Sequence, residues 1–160
     1  MRASSRLLAT GIVAGITLLA GASGVFAADG GTAADTPPAA VEDFQYPGAD
    51  QVLKDHGIVL KQGDGHIMLA DCASEPGLLE VWARGMDKFC LKVTGNGGYL
   101  TMDVPKVYGI KGNSYTVRAN MTVDNTDASF DITKDTWTPV GETADSKARD
   151  HNLVQLTATK

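Results

Sequence analysis

Hydrophobic and polar residues alternate along most of the chain after position 57. In the clearest segment, residues 115–123, every second residue is apolar and those between are polar. Alternation with period two is typical of a strand that has one face on a hydrophobic core. Seven other segments read as short strands separated by turn residues: 58–62, 66–71, 78–84, 88–94, 99–104, 129–133 and 153–159. The pattern predicts a mainly β fold, an antiparallel sandwich or barrel of about eight strands.

One short helix is predicted before the strands. Pro47 suits a first helical turn, Val52 and Leu53 give the segment an apolar side, and Gly57 follows where a left-handed residue ends many helices. We therefore expect a helix over residues 47–56. Because no other helix is predicted, parallel β-α-β units are excluded.

Two glycine-rich segments, residues 63–65 and 95–98, lie between predicted strands. Phosphate-binding loops of this composition open a helix, whose N-terminal amides hold the phosphate. Because neither segment precedes a helix, we expect both to be hairpin turns, with Asn96-Gly97 a typical example.

The chain contains two cysteines, Cys72 and Cys90. Each lies out of phase with the apolar positions of its own strand, so both are expected on one outer sheet face. We predict a disulfide that closes a loop of 19 residues and stabilises the fold by about 3 kcal/mol. Two free buried thiols, or a cysteine nucleophile with a histidine partner, are the alternatives.

The N-terminus has the pattern of a signal peptide. Arg2 and Arg6 precede an uncharged apolar run over residues 7–20, and small residues lead to Val25-Phe26-Ala27. We predict cleavage after Ala27, because the run is shorter than the roughly 20 residues of a membrane-spanning helix. The protein is then secreted and extracellular, with no membrane association after signal removal, and its surroundings favour the disulfide.

The remaining chain divides into a spacer and one domain. Residues 28–43 are rich in Ala, Pro and Gly and predict a disordered spacer, whereas residues 44–160 are long enough for a single β domain. Removing residues 1–27 takes away two of the 14 basic residues and none of the 19 acidic ones, which leaves a net charge of −7. This charge argues against nucleic acid as a partner.

Motifs for catalysis or metal binding are missing from the sequence. It has no Gly-x-Ser-x-Gly elbow, His-Glu-x-x-His helix or Cys-x-x-Cys pair, so we assign no catalytic residue, metal or cofactor. A small hydrolase assembled from distant residues stays open. Turn chemistry accounts for Asp and Asn at residues 124–127 without calcium. Of the histidines, we expect His56 at the helix end and His66 and His151 exposed.

Aromatic residues are the candidates for ligand binding. Trp82 is out of phase with its apolar neighbours, Trp137 lies in a polar segment, and Tyr108 follows a predicted strand. An exposed aromatic platform would bind an extracellular polysaccharide or protein. The alternative is that each ring covers the core. A peptidase inhibitor presenting residues 73–77 or 109–114 as a rigid loop is a second possible function.

Several short motifs follow one another after the spacer: Tyr46-Pro47-Gly48-Ala49-Asp50, Gly63-Asp64-Gly65-His66-Ile67, Asp71-Cys72, the Cys90 strand, Gly98-Tyr99-Leu100-Thr101 and Val107-Tyr108-Gly109-Ile110. In this order they make the chain resemble a group of small secreted actinobacterial proteins and C-terminal domains of uncharacterised role. The resemblance covers residue 44 to the end and implies no activity and no catalytic residue. It favours an accessory or interaction domain over a self-contained enzyme.

Overall fold

The structure, a computed structural model, describes residues 44–160. Two antiparallel five-stranded sheets form a sandwich, and one short helix precedes them. The predicted antiparallel sandwich is confirmed. The sheets are not closed, so the fold is not a barrel. The predicted signal peptide, cleavage site and spacer lie outside the described residues. No helix within residues 44–160 is long and apolar enough to cross a membrane.

The first sheet has the strand order β1-β5-β10-β7-β8, and the second has the order β2-β4-β3-β6-β9. The elements are α1 (Ala49–His56), β1 (Val59–Gly63), β2 (Ile67–Ala70), β3 (Leu79–Ala83), β4 (Phe89–Val93), β5 (Gly97–Val104), β6 (Val107–Lys111), β7 (Thr116–Val123), β8 (Thr126–Ile132), β9 (Trp137–Pro139), a 3₁₀ turn (Gly141–Thr143) and β10 (Asn152–Thr159).

The core lies between the two sheets and is built by the alternation seen in the sequence. In β7, for example, Val117, Ala119 and Met121 are buried and the residues between them are exposed or half-buried. Helix α1 contributes no fully buried residue, but Ala49 and Val52 pack against the core. The helix begins two residues later than predicted, because Pro47 lies in the preceding turn.

Two strands were not predicted. Strand β6 lies between β3 and β9 and carries the buried residues Val107 and Ile110, while β9 forms the sheet edge. The pairing of β3 with β6 shifts register between Trp82 and Ala83. This irregularity interrupts the alternation of apolar and polar residues in β6, so the sequence does not show the pattern of a strand there. The expectation of an exposed loop over residues 109–114 is therefore wrong, since Gly112 and Asn113 are also buried.

The two glycine-rich segments are not hairpin turns. Strands β1 and β2 belong to different sheets, as do β4 and β5, so both segments carry the chain from one sheet to the other. By contrast, β3 pairs with the next strand β4 as a hairpin, and β7 pairs with β8 in the same way. The hairpin interpretation relied on local turn chemistry, which does not specify the partner of the next strand.

Asp64 joins these two inter-sheet segments. Its Oδ1 accepts a hydrogen bond from the His66 backbone N–H at 3.1 Å, and its Oδ2 accepts one from the Tyr99 N–H at 3.1 Å. A side chain at Gly98 would collide with the Asp64 carboxylate. The glycine at position 98 therefore allows a close approach rather than a hairpin geometry.

A second aspartate, Asp145, organises the segment before β10. Its carboxylate accepts hydrogen bonds from Arg149 Nε at 2.6 Å and from the Lys147 N–H at 3.0 Å, and its side chain is 9% exposed. The hydrogen bond from Arg149, followed by that from the Lys147 backbone, lowers the pKa of Asp145 to about 2. Arg149 also donates to Asp124, at the β7–β8 turn.

Because the folded-state pKa of Asp145 lies below its unfolded value of about 3.9, ionised Asp145 stabilises the fold above that value. This contribution is lost as the pH falls through about 2. We expect Asp145→Asn to lower the melting temperature at pH 6 and the difference from wild type to shrink between pH 4 and pH 2. Thermal unfolding of both proteins across this pH range measures the difference in melting temperature. Asp127→Asn is the control, and an Asp145→Asn effect that is independent of pH would contradict the prediction.

Candidate functional site

The candidate site is the aromatic face, defined here as the outer surface of the second sheet around Trp82, Tyr108, Gly109 and Trp137. These residues belong to the neighbouring strands β3, β6 and β9. Trp82 points away from the core, because Val81 and Ala83 on either side of it are buried. The structure therefore brings all three predicted aromatic residues to adjacent strands.

Gly109 allows Trp137 to lie across the sheet. Gly109 is the register partner of Trp82, and the Trp137 indole lies directly over it. A Cβ atom at position 109 would lie 2.6 Å from Trp137 Nε1, a separation that side chains do not adopt. Since Trp137 is 42% exposed, it presents an aromatic surface to solvent next to Trp82.

Cationic side chains cover the other two rings. Lys88 Nζ lies 5.5 Å from the Trp82 ring centroid, and Arg84 Cζ lies 5.0 Å from the Tyr108 centroid, both within the range of cation–π attraction. Arg84 is also held by an ion pair with Glu142. Among residues 44–160 no cation lies over Trp137, so Trp137 is the open platform of the aromatic face.

Charged groups border this platform. Glu80 accepts a hydrogen bond from Lys88 at 2.7 Å and from Lys111 at 2.9 Å. These two bonds, Lys88 first, lower the pKa of Glu80, which is therefore ionised at neutral pH. Lys111 is the register partner of both Glu80 and Trp137. Hydrogen-bond donors and acceptors thus lie on the strands beside the indole.

These polar neighbours and Gly109 were not assigned as site residues from the sequence. Glu80 and Lys111 are 31 positions apart, and only the pairing of β3 with β6 brings them together. Gly109 interrupts an otherwise apolar segment, which was the one available indication of a close contact.

The disulfide lies on the same outer face as the charged groups. Cys72 and Cys90 are bonded with their Cα atoms 5.1 Å apart, and Cys90 is the register partner of Glu80 and Ala70. The predicted disulfide is confirmed. Since the chain has two cysteines and both are in this bond, a cysteine nucleophile and free buried thiols are excluded.

The described domain contains no cluster of side chains suited to a metal ion. Within residues 44–160 no three His, Cys, Asp or Glu side chains form a group that could hold a metal ion. Asp124 and Asn125 adopt positive φ in the β7–β8 turn, as turn chemistry predicts. The expectation of an exposed His151 is wrong: it is 3% exposed, its Nδ1 lies 2.8 Å from the Arg149 carbonyl oxygen, and its ring packs edge-on against Phe130.

The segment 73–77 forms a compact exposed loop next to the disulfide. Asp71 Oδ1 accepts a hydrogen bond from the Ala73 N–H at 2.9 Å, and the Asp71 carbonyl accepts one from the Ser74 N–H at 3.0 Å. An ion pair between Glu75 and Lys92 at 2.8 Å holds the loop to β4. The loop is therefore exposed and fixed at several points.

No protein-family model and no curated protein sequence matches this chain.

Proposed function

We propose that this protein is a secreted, non-catalytic domain that binds a polysaccharide on the aromatic face. The observation that carries the proposal is Trp137: its indole lies across Gly109, open to solvent, with no described cation over it. A sugar ring stacks its C–H groups on such an indole. Lys111 and Glu80 on the neighbouring strands supply donors and acceptors for the sugar hydroxyls.

A polysaccharide fits this face better than a protein partner does. The centre of a protein interface is a desolvated apolar cluster. Three large hydrophobic residues among residues 44–160 are strongly exposed: Phe44, Leu53 and Trp137. Of these, Trp137 alone lies on the aromatic face, since Phe44 precedes α1 and Leu53 belongs to it. The surrounding groups are charged and hydrogen-bonded, which suits a hydroxyl-rich ligand.

Export supports an extracellular ligand. The signal-peptide pattern that ends at Ala27 favours secretion, and the bond between Cys72 and Cys90 is typical of proteins that fold in oxidising surroundings. The resemblance to small secreted actinobacterial proteins favours the same location and an accessory role.

Trp137→Ala is expected to weaken polysaccharide binding about 30-fold, because truncating a central aromatic contact costs roughly 2 kcal/mol. The measurement is retention of the mature protein by insoluble chitin, cellulose and xylan, followed by binding isotherms on the polymer retained. Gly109→Ala is expected to give a similar loss by displacing the Trp137 indole, whereas Trp137→Phe retains part of the affinity.

Leu53→Ala is the matched control, because Leu53 is 47% exposed against 42% for Trp137 and lies on α1. It is expected to bind as wild type does. Unchanged binding by Trp137→Ala would sink the proposal. The proposal would also fail if none of the polymers retained the protein. In that case, binding of a secreted protein that depends on Trp137 would indicate a protein partner instead.

A second function, inhibition of an extracellular peptidase, is favoured by the loop at residues 73–77. It is exposed and pinned by the disulfide, by Asp71 and by the Glu75–Lys92 ion pair. Rigid presentation lowers the entropic cost of docking into a protease cleft. Inhibition assays with secreted serine and cysteine peptidases distinguish this function, since it depends on the loop and is insensitive to Trp137→Ala.

A further inference from the structure

A groove lies at the C-terminal end of α1, where the helix meets the end of the β2–β4 pair. Two open pockets of about 450 and about 290 Å³ adjoin there, because His56, Lys88 and Phe89 line both. The larger volume is within the range of small-molecule sites. Trp137 lines neither pocket, so this α1 groove is separate from the open platform of the aromatic face.

The floor of the α1 groove is apolar. Lys88 also lines it, but the Lys88 ammonium is bonded to Glu80, which is outside both pockets, and lies over Trp82. The Lys88 ammonium is therefore held on the aromatic face by Glu80 and Trp82. The apolar lining residues are Ile58, Leu69, Ala70, Met86 and Phe89.

Carboxylates border this floor. Asp71 lines the larger pocket, and Asp55 and Asp87 line the smaller one. None of the three forms an ion pair with another residue of the described domain. The α1 groove thus combines an apolar floor with an excess of negative charge at its border.

We propose that the α1 groove binds a small organic cation with an apolar body, such as an arylalkyl amine. Burial of the apolar body against Leu69 and Phe89 provides the main stabilisation. The ammonium group remains at the border, where Asp71 and Asp87 attract it without its full removal from water. An anion of the same shape meets repulsion from these carboxylates, so charge sets the specificity.

The probe is 2-phenylethylammonium, titrated into ¹⁵N-labelled protein and followed by two-dimensional NMR. We expect saturable shifts at the backbone amides of His56, Ala70 and Phe89. The affinity should exceed that for neutral 2-phenylethanol by about fivefold, the factor for one charge pair near 4 Å in water, and 3-phenylpropionate should bind more weakly than the alcohol.

The double variant Asp71→Asn/Asp87→Asn tests the role of charge. Asn at position 71 keeps an oxygen acceptor for the Ala73 N–H, so the loop is expected to stay folded. The cation should then bind about as the alcohol does. Asp127→Asn, which removes an exposed carboxylate from β8 of the other sheet, is the control and should leave the affinity unchanged.

Ala70→Leu provides an independent test, since a larger side chain reduces the volume of the pocket. It should weaken binding of both the cation and the alcohol at least tenfold. Three outcomes would overturn the proposal: no saturable shifts around His56, equal affinity for 3-phenylpropionate, or affinity insensitive to all these substitutions. None of them bears on polysaccharide binding at Trp137.

Discussion

Replacing both cysteines by serine is expected to lower the free energy of unfolding by about 3 kcal/mol. The bonded residues are 18 positions apart, and cross-linking a loop of this size removes conformational freedom from the unfolded chain. For a domain of this length the loss corresponds to a fall in melting temperature of roughly 10 to 20 °C. Thermal and urea unfolding of Cys72→Ser/Cys90→Ser against the oxidised wild type measures it.

The wild type in a strong thiol reductant is the matched control, since it breaks the same bond without a substitution. Its stability is expected to fall to near that of the double variant. A double variant as stable as wild type would contradict the prediction, and free thiols found by mass spectrometry in the purified protein would show that the bond does not form. The smaller hydroxyl of serine at the buried Cys90 position adds a minor further loss.

Gly97→Ala is expected to destabilise the domain by about 2 to 5 kcal/mol. Gly97 begins β5 with φ +98°, a conformation in which an added Cβ costs roughly 1 to 2 kcal/mol. The same Cβ would also collide with the backbone carbonyl of Ala158 in β10, and overpacking of this kind costs about 1 to 3 kcal/mol. The Ala158 carbonyl belongs to a central strand of the first sheet, so it cannot move away without loss of pairing.

Gly65→Ala is the control that separates the two causes. Gly65 also has positive φ, at +80°, but nothing lies within 4 Å of the added Cβ. It should therefore lose only the conformational part, about 1 to 2 kcal/mol. Urea denaturation of both variants tests the difference. Equal destabilisation by the two substitutions would mean that β5 and β10 do not approach each other as closely at Gly97 as the structure shows.

Much of the site is readable from local pattern. Because side chains alternate along a strand, the phase of Trp82 against its neighbours predicted its outward direction, and the phase of Cys90 predicted a bond on the outer face. Both hold in the structure. The phase also marked the buried positions of β7, such as Val117 and Met121. These statements need only the geometry of one strand.

The strand partners were not readable in this way. Asn96-Gly97 favours a tight turn, yet the strands on either side of it pair in different sheets. Strand β6 went unnoticed because Gly109 and the register shift beside it interrupt the alternation. In each case the deciding contact joins residues far apart in the chain, such as Asp64 with Tyr99, and no local propensity encodes it.

By itself the sequence determined the direction of the side chains in the regularly alternating strands, the placement of the two sulfurs on one surface, and the mainly β class of the domain. These follow from backbone geometry over a few neighbouring residues. Tertiary structure alone decided that Trp137 lies over Gly109 beside Trp82, and that α1 ends at an apolar groove bordered by carboxylates. The physical reason is that pairing between distant strands depends on the simultaneous burial of both inner sheet faces.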